Sequence, residues 1–514
     1  MTVLPRLTLS ALLLGASALT ALPLAAETTL TVARSVDADG LDPQKVSTTQ
    51  SSQVTDLIFD TLVSLDATGA PHPALAESWT ISEDNLTYSF TIRQGLTCHD
   101  GAAFGPEDVV FTFTRAVAPE TMNPRLSQYG PIESVTAEGN VVTVKMTEPY
   151  GPFLSYLGSF ALPMLCKGSV AADGAFAPIG TGPFSLVEWV RNDHITLKAN
   201  DAYQGFGQLV ENKGRPHIDT LKLVVIPEAV ARMAALRSGE VDLAEPSLEE
   251  AAMLSGEPGF KIYSADLSGQ QVMAAFTWKL PPFDNPEVRR AIGMALDRDA
   301  YAAIAYEGLV SPTTCPAAPG LIGVDQEKCA EWGTKYDPDA ARAIMEGLGY
   351  TPQNPLKIKL SVHALPGFDQ MHQMMQQHLA EIGVEAELET REVAAFFDQM
   401  SQENQRTEGM PVLWTMGYSG VDSDYMTVMW QQPGFVNMGV GAELDTMLAD
   451  QRMLTGEARV AKLQEVQKYL LENTYAVPLV SPGWNWLWAS TDKIEGFKTG
   501  FVASLIFNDV KKID

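Results

Sequence analysis

The sequence predicts an α/β fold with sheet cores, divided into more than one domain. Three observations predict it. The chain has 514 residues, 46% of them hydrophobic, and domains of about 100–200 residues make two or three the expected number. Strand and helix patterns alternate through its second half. Asn285-Pro286 and Asp337-Pro338 each set a capping side chain before a proline at the first helical position, starting helices that reach to about 296 and 347.

The elements follow in order. Residues 29–33 read as a strand, and the polar run 47–52 precedes a helix through Val54, Leu57 and Ile58. Residues 71–79 read as loop and turn. Tyr88, Phe90 and Ile92 alternate with Ser89 and Thr91, the pattern of a half-buried strand. Pro106 opens a helix whose Val109, Val110 and Phe113 recur at helical spacing. Segments 132–138 and 141–145 form a hairpin over Gly139-Asn140. Further strands are read at 195–197 and 221–226, and a helix at 230–238. The chain changes character at 281–285. Beyond it, 358–362 is a strand, 369–382 a helix stopped by Gly383, and 384–388 a strand.

The N-terminus carries Arg6 as the sole charge in 26 residues, then an apolar run 7–22, Pro23, and the small Ala25 and Ala26. This is the layout of a secretory signal peptide cleaved near Ala26, too short for a membrane span. No cysteine precedes Cys98, so a lipid-bearing cysteine at the cleavage site is excluded and the expected location is the periplasm. A net charge of −28 disfavours nucleic acid and anionic membranes as partners. The cysteines are Cys98, Cys166, Cys315 and Cys329. An even count in an oxidising compartment suggests disulfides. Cys315 and Cys329 bracket a stapled loop, and Cys98 with Cys166 is the remaining pair. No CxxC or HxxxH spacing supports zinc.

Several segments carry chemistry or a likeness. Pro73-Ala74-Leu75-Ala76-Glu77-Ser78-Trp79 is followed by Ser82-Glu83-Asp84, Arg93-Gln94-Gly95, His99-Asp100-Gly101 and Glu107-Asp108-Val109-Val110. Later come Gly180-Thr181-Gly182-Pro183-Phe184, Ala235 to Asp242, Pro282-Phe283 through Val288-Arg289-Arg290-Ala291 to Asp297-Arg298, Leu379 to Val384, and Val477-Pro478-Leu479. In this order they resemble the family 5 solute-binding proteins of ABC importers, the group of oligopeptide-, dipeptide- and nickel-binding proteins. Cys98 stands where that family has an aromatic before His-Asp-Gly. The resemblance implies a two-lobed periplasmic-binding-protein fold of the large class II peptide-binding type, with a central ligand cleft and hinge closure. Lobe I maps to 27–280 plus 482–514 with an inserted subdomain near 70–178, and lobe II to 281–481. The implied function is capture of a small solute, peptide or peptide-like (an opine or modified amino acid), for a membrane permease and ATPase complex. The implied protein is a monomer without cofactor or metal. The alternatives are a ligand-loaded partner of a chemoreceptor or kinase, and a binder of metal chelates or sugars.

The resemblance also proposes ligand contacts. Trp414, Tyr418, Ser419, Asp422 and Asp424 match a segment that in peptide-binding relatives carries an aspartate for the ligand ammonium. Here Ser419 or Val421 falls at that position, so Asp422 and Asp424 are either ligand carboxylates or turn residues. Thr277, Trp278, Tyr129, Thr48 and Thr49 match cleft-lining positions. Trp484, Trp486 and Trp488 alternate on one strand face, as an aromatic ligand wall or as core. Met371, His372, Met374, Met375 and His378 have helical core spacing rather than a metal-ligand pattern. Gly417-Tyr418-Ser419-Gly420-Val421 lacks the last glycine of a nucleophile elbow, and Gly180-Thr181-Gly182 meets Pro183 where a phosphate-binding helix would begin. These gaps argue against an enzyme.

Overall fold

The computed structural model describes residues 27–513 except 47, 160–161, 265–268, 364–366, 433–435, 437 and 483–486. The leader 1–26 and the paired tryptophans Trp484 and Trp486 thus lie outside the described residues.

Among the described residues, three larger sheets organise the chain. The first has seven strands. Thr29–Arg34 runs parallel to Thr220–Val225 on one side and to Leu243–Ala244 on the other. Near the C-terminus, Trp488–Thr491 returns antiparallel to Leu243–Ala244 and Phe260–Tyr263. Both chain ends therefore build this lobe. One face packs Leu30, Val32, Leu57, Ile58 and Phe184; the other packs Ala33, Leu236 and Val241. The second sheet has four antiparallel strands, Ala76–Ile81, Thr87–Ile92, Val141–Met146 and Ile132–Glu138, over a core of Tyr88, Phe90, Phe113 and Phe153.

The third sheet has six strands and forms the second lobe. Leu356–His363 lies parallel to Val384–Arg391 and to Val412–Ser419. Helices Phe368–Glu381 and Val393–Glu403 supply the crossovers that parallel pairing requires. Gln270–Phe276 sits between Val412–Ser419 and Ala476–Ser481, with all seven of its residues buried. It reads Gln-Gln-Val-Met-Ala-Ala-Phe because a strand covered on both faces has no polar side to alternate with. Val272, Met273 and Phe276 each contribute about 1.5–3 kcal/mol by burial.

That strand precedes 281–285, where the second lobe is expected to begin, yet pairs in the same sheet as elements that follow it. Residues 281–285 form a turn. The N-cap signals are met: Asn285 Oδ1 accepts from Glu287 N–H at 3.0 Å, and Asp337 Oδ1 from Ala340 N–H at 2.9 Å. Segment 71–79, expected as loop, instead contains the strand Pro71–Pro73 and most of Ala76–Ile81. Pro71 and Pro73 belong to a two-stranded ribbon, and Ala76–Ile81 is the edge strand of its sheet, the positions where proline and polar residues are tolerated.

Cys98–Cys166 and Cys315–Cys329 are bonded, with sequence separations of 68 and 14. By loop-closure entropy the longer loop contributes about 4 kcal/mol and the shorter about 3 kcal/mol. Replacing Cys98 and Cys166 with serine should therefore lower the melting temperature more than replacing Cys315 and Cys329. Differential scanning calorimetry of the two variants checks the order.

Candidate functional site

The candidate site is the seam between the lobes, at the carboxyl ends of the parallel strands. In open α/β sheets this is where ligands bind. The second lobe brings His363, Arg391 and Ser419 to those ends, and the first brings Arg34.

At the crossing, Gly420 N–H donates to Gly269 O at 3.0 Å. Gly269 has φ +63°, and a Cβ there would stand 2.0 Å from Gly420 O. Only glycine fits. This contact fixes where the loop after Val412–Ser419 turns.

That loop holds the strongest sequence candidates, and the structure binds them internally. Asp422 is fully buried and accepts from Arg459 Nη1 at 2.9 Å and Nη2 at 2.5 Å. Asp424 accepts from Arg452 Nε and Nη2, both at 2.7 Å, and from Thr427 and Gln451. Burial opposes ionisation of Asp424, yet the hydrogen bonds and charge of Arg452, with Arg459 behind it, hold its carboxyl below the usual range. Arg452 and Arg459 are correspondingly raised against burial. Both carboxylates are thus committed to partners within their own lobe rather than left open to a ligand. The sequence offered no local sign of this, since Arg452 and Arg459 follow 28 and 37 residues later.

Trp414 is also core. Its indole N–H donates to Asn404 Oδ1 at 3.1 Å, its ring meets Phe396 edge-on, and no surface is exposed. Thr277 Oγ1 accepts from Val412 N–H at 2.8 Å, at the start of Val412–Ser419, and Trp278 N–H donates to Met438 O of a loop at 2.7 Å. Tyr129 packs against Phe113 in the four-stranded subdomain, where burial pushes its hydroxyl well up. Trp488, on Trp488–Thr491, is buried in the first-lobe core.

Four candidates remain. Thr48 is exposed and caps helix Thr49–Ile58, accepting from Ser51 N–H at 3.3 Å and donating to Asp39 at 2.7 Å. Thr49 follows it. Tyr418 stacks on Tyr425 at 4.9 Å and hydrogen-bonds Gln271 and Pro316 O. Ser419 ends its strand, partly buried.

Sequence reasoning missed His363 and Gln271. Gly417 N–H donates to His363 Nε2 at 3.3 Å, which leaves the ring's proton on Nδ1. Burial lowers His363 to about 4, so it is neutral. Its Nδ1 and the Gln271 Oε1 are buried with no partner among the described residues, one donor and one acceptor near strand ends. His99, which invites a catalytic reading, instead clamps a turn: Nε2–H donates to Gly182 O at 3.0 Å and Nδ1 accepts from Gly180 N–H at 3.3 Å.

The model for the bacterial extracellular solute-binding proteins, family 5 (middle region), matches residues 70–437. The chain belongs to that family. Family 5 members are the solute-binding subunits of ABC importers. This family 5 protein is 30% identical over 407 residues to the glutathione-binding protein GsiB of Salmonella paratyphi A, covering 78% of this chain and 77% of that one. It is 29% identical over 520 residues to di/tripeptide-binding protein 2 of Pseudomonas aeruginosa, covering 92% and 93%. Its fold is shared with the substrate-binding protein CtaP of Listeria monocytogenes, at TM-score 0.81, 18% identity and coverage of 95% and 100%. It is shared equally with Helicobacter pylori DppA in complex with a peptide, at TM-score 0.71, 24% identity and coverage of 95% and 98%.

Two predictions follow from these contacts. Removing one partner of a buried ion pair costs about 3–5 kcal/mol, so Asp422→Ala should lower unfolding free energy by that amount in urea titration. The second concerns a cavity of about 190 Å³ in the first lobe, lined by Asp56, Asp60, Tyr203 and Asn508. Burial raises Asp56 to about 7 against the charge of Arg125, and raises Asp60 to about 6 against hydrogen bonds from Thr181 and Tyr203. At these two groups the folded state therefore holds more protons than the unfolded one from about pH 4 to 7, and their contribution to stability falls as pH rises. Asp56→Asn should melt higher than the parent at pH 8, with the gap closing by pH 4.

Proposed function

We propose that this family 5 protein captures a peptide or peptide-like solute between its lobes by hinge closure. It then presents the closed form to a membrane permease and its ATPase. The moving bodies in this reading are 27–264 with 488–513, and 270–481. The pair of crossings between separately cored lobes supports it most directly, because such a connection leaves rotation about the crossings as the soft motion. The orphan His363 Nδ1–H and Gln271 Oε1 support the ligand class: a neutral donor and a neutral acceptor match the carbonyl and N–H of a peptide group. Thr48, Thr49, Tyr418 and Ser419 complete the proposed lining. The named ligands of the relatives, glutathione and di- or tripeptides, point the same way.

In this reading the protein works as a monomer in the periplasm, after cleavage near Ala26, and does no chemistry on its cargo. A thermal-shift screen of dipeptides, tripeptides, glutathione and opines tests it. A solute bound only by the folded state stabilises it by about 2.7 kcal/mol at a hundredfold excess over Kd. At least one should raise the melting temperature in a saturable way and leave unaltered in mass. No shift across the panel, or conversion of the solute, contradicts the proposal.

A further inference from the structure

The two buried ion pairs of the second lobe lie against the inserted subdomain. Asp422, Asp424 and Arg459 are essentially fully buried, and the first lobe covers them with Tyr150 and Tyr156, each 6% exposed and mutually stacked at 6.4 Å. The charges of Asp424 and Arg452 are felt at both phenols, whose hydroxyls burial has already raised.

The covering segment is fitted closely. Gly151 N–H donates to Arg452 O at 2.6 Å across the seam. The Arg452 guanidinium lies 6.0 Å from the Tyr150 ring centroid, and Thr455 Oγ1 donates to Asn85 Oδ1 at 3.3 Å. A Cβ on Gly151 would fall 2.2 Å from Leu454 O, 2.8 Å from Arg459 Cδ and 2.9 Å from Arg459 Nε. These three nearest atoms all belong to the other lobe. Glycine is therefore demanded here by the approach of the second lobe rather than by the fold of the first.

The ion pairs themselves join second-lobe residues only, so parting the lobes leaves them intact but wet. What parting loses is the Gly151–Arg452 hydrogen bond, the aromatic cover of Asp422, Asp424 and Arg459, and apolar contacts of Val421 with the first-lobe core and of Leu65 and Phe501 with Ala318 and Leu321. That difference exists only in the closed arrangement, and it includes no residue of the proposed ligand lining.

We propose that Tyr150-Gly151, seated on the Arg452–Leu454 corner, is a closure latch whose residues position the lobes and set the closed-state population. The inference rests on the hinge-closure reading above. A latch of this kind tunes apparent affinity without touching cargo, because affinity scales with the fraction of protein already in the competent state.

The test needs no ligand, so it stands apart from the solute screen. Cysteines placed at Met122 of the inserted subdomain and Asp339 of the second lobe carry spin labels, and pulsed dipolar spectroscopy reads the distance between lobes. Gly151→Ala should keep the parent's circular dichroism and shift the distribution toward the longer distance, lowering the closed-to-open ratio by about tenfold. Hydrogen exchange at the Gly151 amide of the parent should be slow and should report the same closed fraction. An unchanged distribution in the variant overturns the latch. A variant that fails to fold overturns it too, since the need for glycine would then lie inside the first lobe.

Discussion

Everything in this molecule depends on the way the chain crosses between sheets. Gln270–Phe276 is locked between two neighbours with every residue buried. Ser481, the last residue of Ala476–Ser481, donates its hydroxyl to Gln270 O at 2.7 Å. These two strands are thereby joined in one sheet. Each lobe has a large hydrophobic cluster of its own, and smaller apolar contacts, Leu65 and Phe501 with Ala318 and Leu321, join the two. Two bodies joined in this way leave rotation between them as the soft motion.

Charge management follows from that arrangement. A seam that opens and closes takes charged groups in and out of water, and an unpaired ion would make closure costly. The second lobe answers this by pairing Asp422 with Arg459 and Asp424 with Arg452 within itself. The first lobe does the same with Arg115 and Asp42, and holds the Arg125 guanidinium against Ser52 Oγ at 2.9 Å and Val46 O at 3.3 Å. Arg125 and Arg34 are lowered to about 10 by burial but remain cations. What is left for a ligand at the second lobe is mostly neutral: a histidine proton, an amide oxygen, a hydroxyl and aromatic edges.

Much of the fold was legible because its signals are local. Asn285-Pro286 and Asp337-Pro338 state a helix start within two residues, and the alternation over 87–92 states a strand within six. The pairing of four cysteines also followed from spacing and count. The sheet membership of Gln270–Phe276 was not legible, because Pro281-Pro282 marks a turn as loudly as a linker would. The edge strand Ala76–Ile81 was not either, since its outward residues are polar and it pairs on one side only. The site was read least well. Asp422 and Asp424 looked available because their arginines arrive on two later helices, and Trp414 looked like a ligand contact because Asn404, which satisfies its indole, lies in the turn after Val393–Glu403. His363 was passed over since nothing in its neighbourhood announces that Gly417 fixes its tautomer.

The central claim is that two rigid bodies close on a solute. Small-angle X-ray scattering, with and without a saturating solute that raises the melting temperature, addresses it most directly. The account predicts a smaller radius of gyration in the loaded protein, fitted by rotating 270–481 as a unit against the remainder. An unchanged scattering profile under saturation, or one fitted only by deforming the lobes internally, would contradict it.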